Sequence, residues 1–258
     1  MIIGTVTLLV LLFGGGALET FFIDDMNKGV KQFVIGEDRK KEILADLKGS
    51  EKMIKEYNKQ RKLRFKEYKK LNVSHESTSK ELTDLFIVLM DERGEFQNRF
   101  MDDRIAVSKK IKPDEWTAII EHAGLIEDKN QEKLQKKIDK AEAKGKEPFE
   151  KTREAITKNV LDAARQQLLL GRLDAMLNNF NELAGRIGSF SAKDNGLLVR
   201  QDASKEEMKQ VAGKINELRY ATFNNLVGFH MVVKENTDAP EWDKIMKEFN
   251  NDMSLTVH

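Results

Sequence analysis

Cysteine is absent from this 258-residue chain, which removes any disulfide framework and any thiolate nucleophile or ligand. Only three prolines occur, and helix-forming Lys, Glu, Leu and Ala recur throughout, a balance that favours long helices over sheets. An excess of one charge is lacking too: 44 Lys and Arg stand against 43 Asp and Glu, a net charge of +1. Nucleic acid is therefore not the expected partner of the protein as a whole. None of the four histidines, His75, His122, His230 and His258, stands in a His-x-x-x-His or His-Glu-x-x-His spacing, so no single helix offers a zinc face. There is no Gly-rich loop followed by Lys-Ser or Lys-Thr and no Gly-x-Ser-x-Gly elbow. Glu92, Asp102, Asp103 and Glu217 fall on predicted helices, without the inward Glu-x-x-His pairs of a di-metal bundle. No catalytic, cofactor or metal residue is assigned, and the chain reads as a non-enzyme.

Charge is also missing from residues 2–18, an apolar run at the head of a chain that is 34% charged. It sits at the short end of the roughly 17–25 residues that cross a bilayer, and Phe21, Phe22 and Ile23 extend it past Glu19. Residues 1–23 are read as a membrane anchor, with the bilayer as partner through residues 2–23. A cleaved signal peptide is the competing reading, through Gly14-Gly15-Gly16-Ala17, but no basic residue precedes Lys28. The cations that follow, Lys28, Lys31, Arg39, Lys40 and Lys41, favour a cytoplasmic body.

Beyond the anchor the expected fold is all-α: long helical hairpins in two related repeats. The only tryptophans lie in matching phrases, Pro113-Asp114-Glu115-Trp116 and Ala239-Pro240-Glu241-Trp242, each a proline turn opening a short helix. Upstream, Thr78-Ser79-Lys80-Glu81 and Ser204-Lys205-Glu206-Glu207 are candidate capping boxes. Aligning the tryptophans also aligns Arg93 with Arg219, Asn98 with Asn224 and Val107 with Val233. Leu169, Leu173, Met176, Phe180, Leu183 and Ile187 step by four and three as a heptad seam, to be buried within the bundle or against another subunit. The expected divisions are a first unit over 24–123, a charged connector over 124–150 centred on Glu127–Lys146, and a second unit over 151–258. Residues 190–200, with Asn195-Gly196, read as a long loop.

One charge cluster stands out. From Lys59 to Lys70, cations Lys59, Arg61, Lys62, Arg64 and Lys66 interleave with Phe65 and Tyr68, a pattern that suits RNA, anionic lipid or an acidic partner, or a solvated face that meets acids of a neighbouring helix. In an unbroken helix residue 59 would stand about 50 Å beyond Ile23 at about 1.5 Å per residue, so lipid contact requires the chain to fold back, and Gly36 makes a bend available. Trp116 and Trp242 are expected to plug helix ends into the core, or else to present paired contact surfaces to a partner.

The Lys112-Pro113-Asp114-Glu115-Trp116 and Asp238-Ala239-Pro240-Glu241-Trp242 turns, each after a long helix, resemble degenerate forms of the Leu-Thr-x-x-Gln turn of the bacterial Spy/CpxP family. Both copies lack the Leu-Thr and the Gln. The resemblance implies a helical envelope protein, a periplasmic body against the charge rule, and ATP-independent chaperone or stress-modulating activity without catalysis. The functional expectation is a membrane-anchored scaffold or binding subunit of a membrane-associated complex, with other protein subunits or further copies of itself as partners and a tethered periplasmic chaperone as the alternative.

Overall fold

The computed structural model describes residues 17–123 and 149–257. Residues 1–16, with most of the expected anchor, and the connector Glu127–Lys146 lie outside the described residues. Among the described residues the chain is all-helical and has no strand. In order come α1 (Ala17–Phe33), α2 (Glu37–Val73), α3 (Ser79–Lys110), α4 (113–123), α5 (Glu150–Asn159), α6 (Ala163–Val199), α7 (Lys205–Glu235) and α8 (Ala239–Val257). None of these helices is long and apolar enough to cross a membrane.

The two halves run in the same register. The shift that carries Trp116 onto Trp242 also carries α2 onto α6, both of 37 residues, and α3 onto α7, of 32 and 31 residues. Thr78 and Ser204 each accept from the backbone N–H three residues on, while Glu81 and Glu207 return to the cap backbone; both capping boxes are complete. Buried apolar positions coincide as well: Val30 with Ile156, Ile43 with Leu169, Leu47 with Leu173 and Ile119 with Ile245, all fully inaccessible.

Each half contributes a hairpin of long helices, and the hairpins exchange ends. At about 1.5 Å per residue a 37-residue helix spans about 55 Å. α2 begins beside its own tryptophan helix, where Arg39 meets Glu115, and finishes at the other, where Trp242 Nε1 donates to the Val73 carbonyl at 2.8 Å. α6 begins where Arg165 meets Glu241 and ends at the first half, where Arg104 Nη2 donates to the Arg200 carbonyl at 2.7 Å. Between them α3 and α7 cross antiparallel: Phe86 stacks on Phe223 at 4.0 Å, Asn216 donates to Gln97 at 3.3 Å and Lys205 reaches Asp102 at 2.7 Å. Arg93 and Arg219, equivalent in register, sit buried in this crossing. The main core joins Phe65, Tyr68, Leu82 and Phe86 of the first half to α5–α8 of the second, while the rest of the first half packs around a cluster of its own, from Ile23 to Ile119.

The structure changes two sequence-based expectations and decides between the two readings of a third. Ile23 is not in lipid: with Met26, Val30 and Val34 it lines a core cluster against Ile43, Leu47 and Ile119, and α1 runs unbroken across the expected boundary at residues 23 and 24. Residues 190–199 are helical and not a loop; α6 continues to Val199, and the link to α7 is the short stretch from Arg200 to Ser204. Each helical glycine costs about 1 kcal/mol relative to alanine, and the repeated hairpin geometry overrides that local preference. The heptad seam faces inward, with Leu169, Leu173, Met176, Phe180 and Leu183 all buried in the main core, so those residues offer nothing to another subunit.

Gly36, at φ 100°, occupies the left-handed region that glycine enters freely. It lets the three-residue link Val34–Gly36 reverse the chain, and α1 folds back along the first half of α2. The bend that lipid contact would require is present.

Candidate functional site

Both tryptophans are structural plugs. Trp116 is 4% exposed and Trp242 is fully buried, so neither ring presents the contact surface considered from sequence. The edges of His75 and His230 meet Trp242 at 5.2 and 4.9 Å between centroids, and the Arg104 guanidinium lies 5.6 Å from the Trp116 ring. Beside each tryptophan the preceding glutamate ties helices together. Glu115 accepts from the Ile35 N–H at 2.9 Å, the Lys112 N–H at 3.0 Å and Arg39. Burial pulls its carboxyl up, but the two backbone donors and the Arg39 charge outweigh this and hold it below the usual carboxylate range. Glu241 accepts from Arg165 through both guanidinium nitrogens, at 2.8 and 3.1 Å, and from the Asp238 N–H at 3.0 Å. Arg39 and Arg165 are equivalent in register, so the Arg–Glu tie is a repeated device that sequence inspection missed; the Trp116/Trp242 alignment carries it once extended upstream.

The other candidate acids are dispersed. Glu92 holds Arg64, Asp102 holds Lys205, Asp103 accepts from Ser50 Oγ at 2.9 Å, and Glu217 is exposed. Among the described residues no group of three or more His, Asp or Glu side chains could hold a metal ion.

His230 belongs to a buried polar chain. The Lys69 carbonyl accepts from Asn250 Nδ2 at 2.8 Å, so Asn250 Oδ1 faces Asn72 Nδ2 at 2.7 Å, and Asn72 Oδ1 faces both Tyr68 Oη at 3.4 Å and His230 Nδ1 at 3.1 Å. That order makes His230 Nδ1 the protonated ring nitrogen. Burial first, then the Lys234 charge, pushes its pKa down to about 4, so the ring is neutral near pH 7.

The basic cluster divides by residue type. Arg64 turns toward α3, donating through Nε to Glu92 at 3.0 Å and through Nη1 to Glu67 at 2.9 Å; the bond to Glu92 first, then that to Glu67, raises its pKa. Arg61 is half-buried, whereas Lys59, Lys62 and Lys66 are exposed. These lysines continue a longer series: Lys48, Lys52, Lys55, Lys59, Lys62, Lys66 and Lys70, all exposed, step by three or four residues along one face of α2. Glu51 pairs with Lys55 and lies three residues from Lys48, and Glu56 and Glu67 stand three residues before Lys59 and Lys70. The series was legible as helical spacing, but a window opened at Lys59 cut it in half. Tyr57, Phe65 and Tyr68, interleaved with it in sequence, are buried on the opposite face.

At its far end the stripe enters an open groove of about 400 Å³ between α2 and α8, lined by Lys66, Lys69, Lys70 and Val73 on one side and Lys247, Asn250, Asn251 and Ser254 on the other. Lys69 Nζ donates to Ser254 Oγ at 3.3 Å, and the Asn72–Asn250 chain pins the two walls from beneath. Lys66, Lys70 and Lys247 are exposed.

Fold and site together define an all-helical chain whose two halves set their long helices in one register and whose α2 carries a basic face. No known protein family, curated protein or solved structure matches the chain.

Proposed function

We propose that the protein is a membrane-attached, non-catalytic helical scaffold, held at the bilayer by its N-terminal apolar run and presenting the rod to other subunits of a membrane-associated complex. The observation that carries this reading is the seating of α1: Ile23, Met26, Val30 and Val34 lock the helix that follows the run into the core. A run inserted in lipid would thus be coupled to the rod without slack. The buried carboxylates Glu115 and Glu241 are spent on helix-to-helix ties, as suits a body whose work is to hold shape. The test is carbonate washing of membranes that carry the full chain. Wild type is expected to stay in the pellet and a Leu9→Arg/Leu11→Arg variant to be released, since arginine at mid-span costs about 2.5–3.5 kcal/mol per residue on insertion scales. Release of wild type would end the reading.

A second reading, a tethered holdase of the Spy/CpxP kind on the periplasmic side, draws on Ile35 and Leu161. These equivalent linker residues are 74% and 89% exposed and would serve as client contacts. Suppression of client aggregation at equimolar protein, lost in an Ile35→Ser/Leu161→Ser variant, would favour it; no suppression by wild type would sink it.

A further inference from the structure

We propose that the lysine stripe from Lys48 to Lys70, with Lys247 at its end, is a second membrane-docking element that lays the rod along an anionic lipid surface. This inference rests on the proposed attachment through the N-terminal run. Three observations carry it. The first is the reversal at Gly36. Because α1 folds back on α2, Ala17 stands about 24 Å from the turn at about 1.5 Å per residue, level with the part of α2 near Met53. The chain therefore enters α1 level with the stripe along the length of α2 and not at the tip of the rod. A bilayer that receives the run, laid against the lysine face of α2, would stand within about a Debye length, roughly 8 Å, of those lysines.

The second is the shape and chemistry of the stripe. It is straight, about 33 Å long at about 1.5 Å per residue, and built of lysine, with the arginines of the same segment drawn inward or half-buried. Flexible, strongly hydrated ammonium groups in a row suit a fluid layer of headgroups better than a fixed bidentate ligand. The stripe has no exposed aromatic to stack bases, since Tyr57, Phe65 and Tyr68 are buried, which weighs against single-stranded nucleic acid.

The third is its restriction to one helix. In the shared register the same positions of α6 are Asp174, Asn178, Asn181, Gly185, Gly188, Ala192 and Gly196. A basic face required by the fold would recur in the repeat, as the caps, the tryptophans and the Arg–Glu ties do. Of the two equivalent helices, only α2, along which α1 folds back, carries it.

The test uses the purified full chain with vesicles of phosphatidylcholine alone and of phosphatidylcholine mixed with phosphatidylglycerol. Wild type should partition onto the mixed vesicles about tenfold or more better than onto the neutral ones, and the gain should shrink at high salt. A Lys52→Gln/Lys59→Gln/Lys62→Gln/Lys66→Gln variant should lose most of the gain. A variant of equal net charge, Lys80→Gln/Lys158→Gln/Lys209→Gln/Lys244→Gln, altered at exposed lysines elsewhere, should keep it. Equal losses in the two variants, or no loss in the first, would overturn the assignment. So would tighter binding of wild type to an RNA duplex than to mixed vesicles at equal phosphate concentration. Failure to bind neutral vesicles, with the anionic gain and its dependence on the stripe intact, would refute the anchored run alone and still support the stripe.

Discussion

α2 and α6 are equal in length and register, yet α6 carries no lysine at the positions of the α2 stripe. Inward, Ile43 and Leu47 match Leu169 and Leu173, and all four are fully buried; in the register of the exposed α2 lysines, α6 carries Asp, Asn, Gly and Ala. What both helices keep is what the rod needs in order to fold. What only one keeps is where a partner has to be sought.

If the shared features are structural, disrupting either copy should cost similar stability. The largest effect is expected at the plugs: Trp242→Ala and Trp116→Ala should each lower unfolding free energy in urea by about 3–5 kcal/mol. Trp242→Phe, which keeps the ring bulk but loses the bond to the Val73 carbonyl, should cost nearer 1 kcal/mol. The ties come next. Glu115→Ala should cost about 3 kcal/mol, because it strands two backbone donors and a partly buried guanidinium. Glu241→Ala should cost somewhat less, its side chain and that of Arg165 being more exposed than the first pair.

The comparison sharpens where the halves differ beside the tryptophans. His230 holds the place of Arg104 and has a folded pKa of about 4 against an ordinary 6.5. Below pH 6.5 the unfolded chain binds a proton that the folded chain refuses, so stability present above pH 6.5 is lost as pH falls toward 4, by about 3 kcal/mol at most. Urea midpoints measured from pH 7 to pH 4 should show this fall in wild type and a shallower one in His230→Gln. Arg104, which burial pushes down to about 10, adds nothing in that window.

Smaller effects are expected at helix contacts and caps. A methyl at Gly29 would lie 2.7 Å from Cγ2 of the buried Ile119, whereas the second half carries Ala155 at the equivalent place. Gly29→Ala should therefore cost about 1–3 kcal/mol by overpacking, despite the better helix propensity of alanine, and Ala155→Gly about 1 kcal/mol. Thr78→Ala and Ser204→Ala should each cost about 1 kcal/mol and equally, both capping boxes being complete. Thermal denaturation of the two pairs would show whether the copies behave alike.

Much of this architecture was legible in the chain. The capping boxes, the paired Glu-Trp phrases and the apolar periods of the long helices are local signals, and local hydrogen bonding and burial produce them. The exchange of hairpin ends was not legible, because the bonds from Trp242 to Val73 and from Arg104 to Arg200 join residues far apart in sequence. The helix through Asn195-Gly196 was hidden by a turn-like dipeptide whose cost tertiary geometry absorbs. Ile23 was assigned to lipid because apolar residues do not declare which apolar medium they enter, and here it is the core. Of the candidate site, the cluster at Lys59–Lys70 was visible; its division into inward arginine and outward lysine required the direction of each side chain around α2.

The claim on which the rest depends is that one of two otherwise matched helices faces the membrane. The absence of cysteine makes the direct measurement simple: attach a fluorophore at Lys62→Cys or at its equivalent, Gly188→Cys, and bind each full-length protein to anionic vesicles that contain a headgroup-quencher lipid. The account predicts strong quenching at position 62 and little at 188. Equal quenching at both, or none at 62, would contradict it.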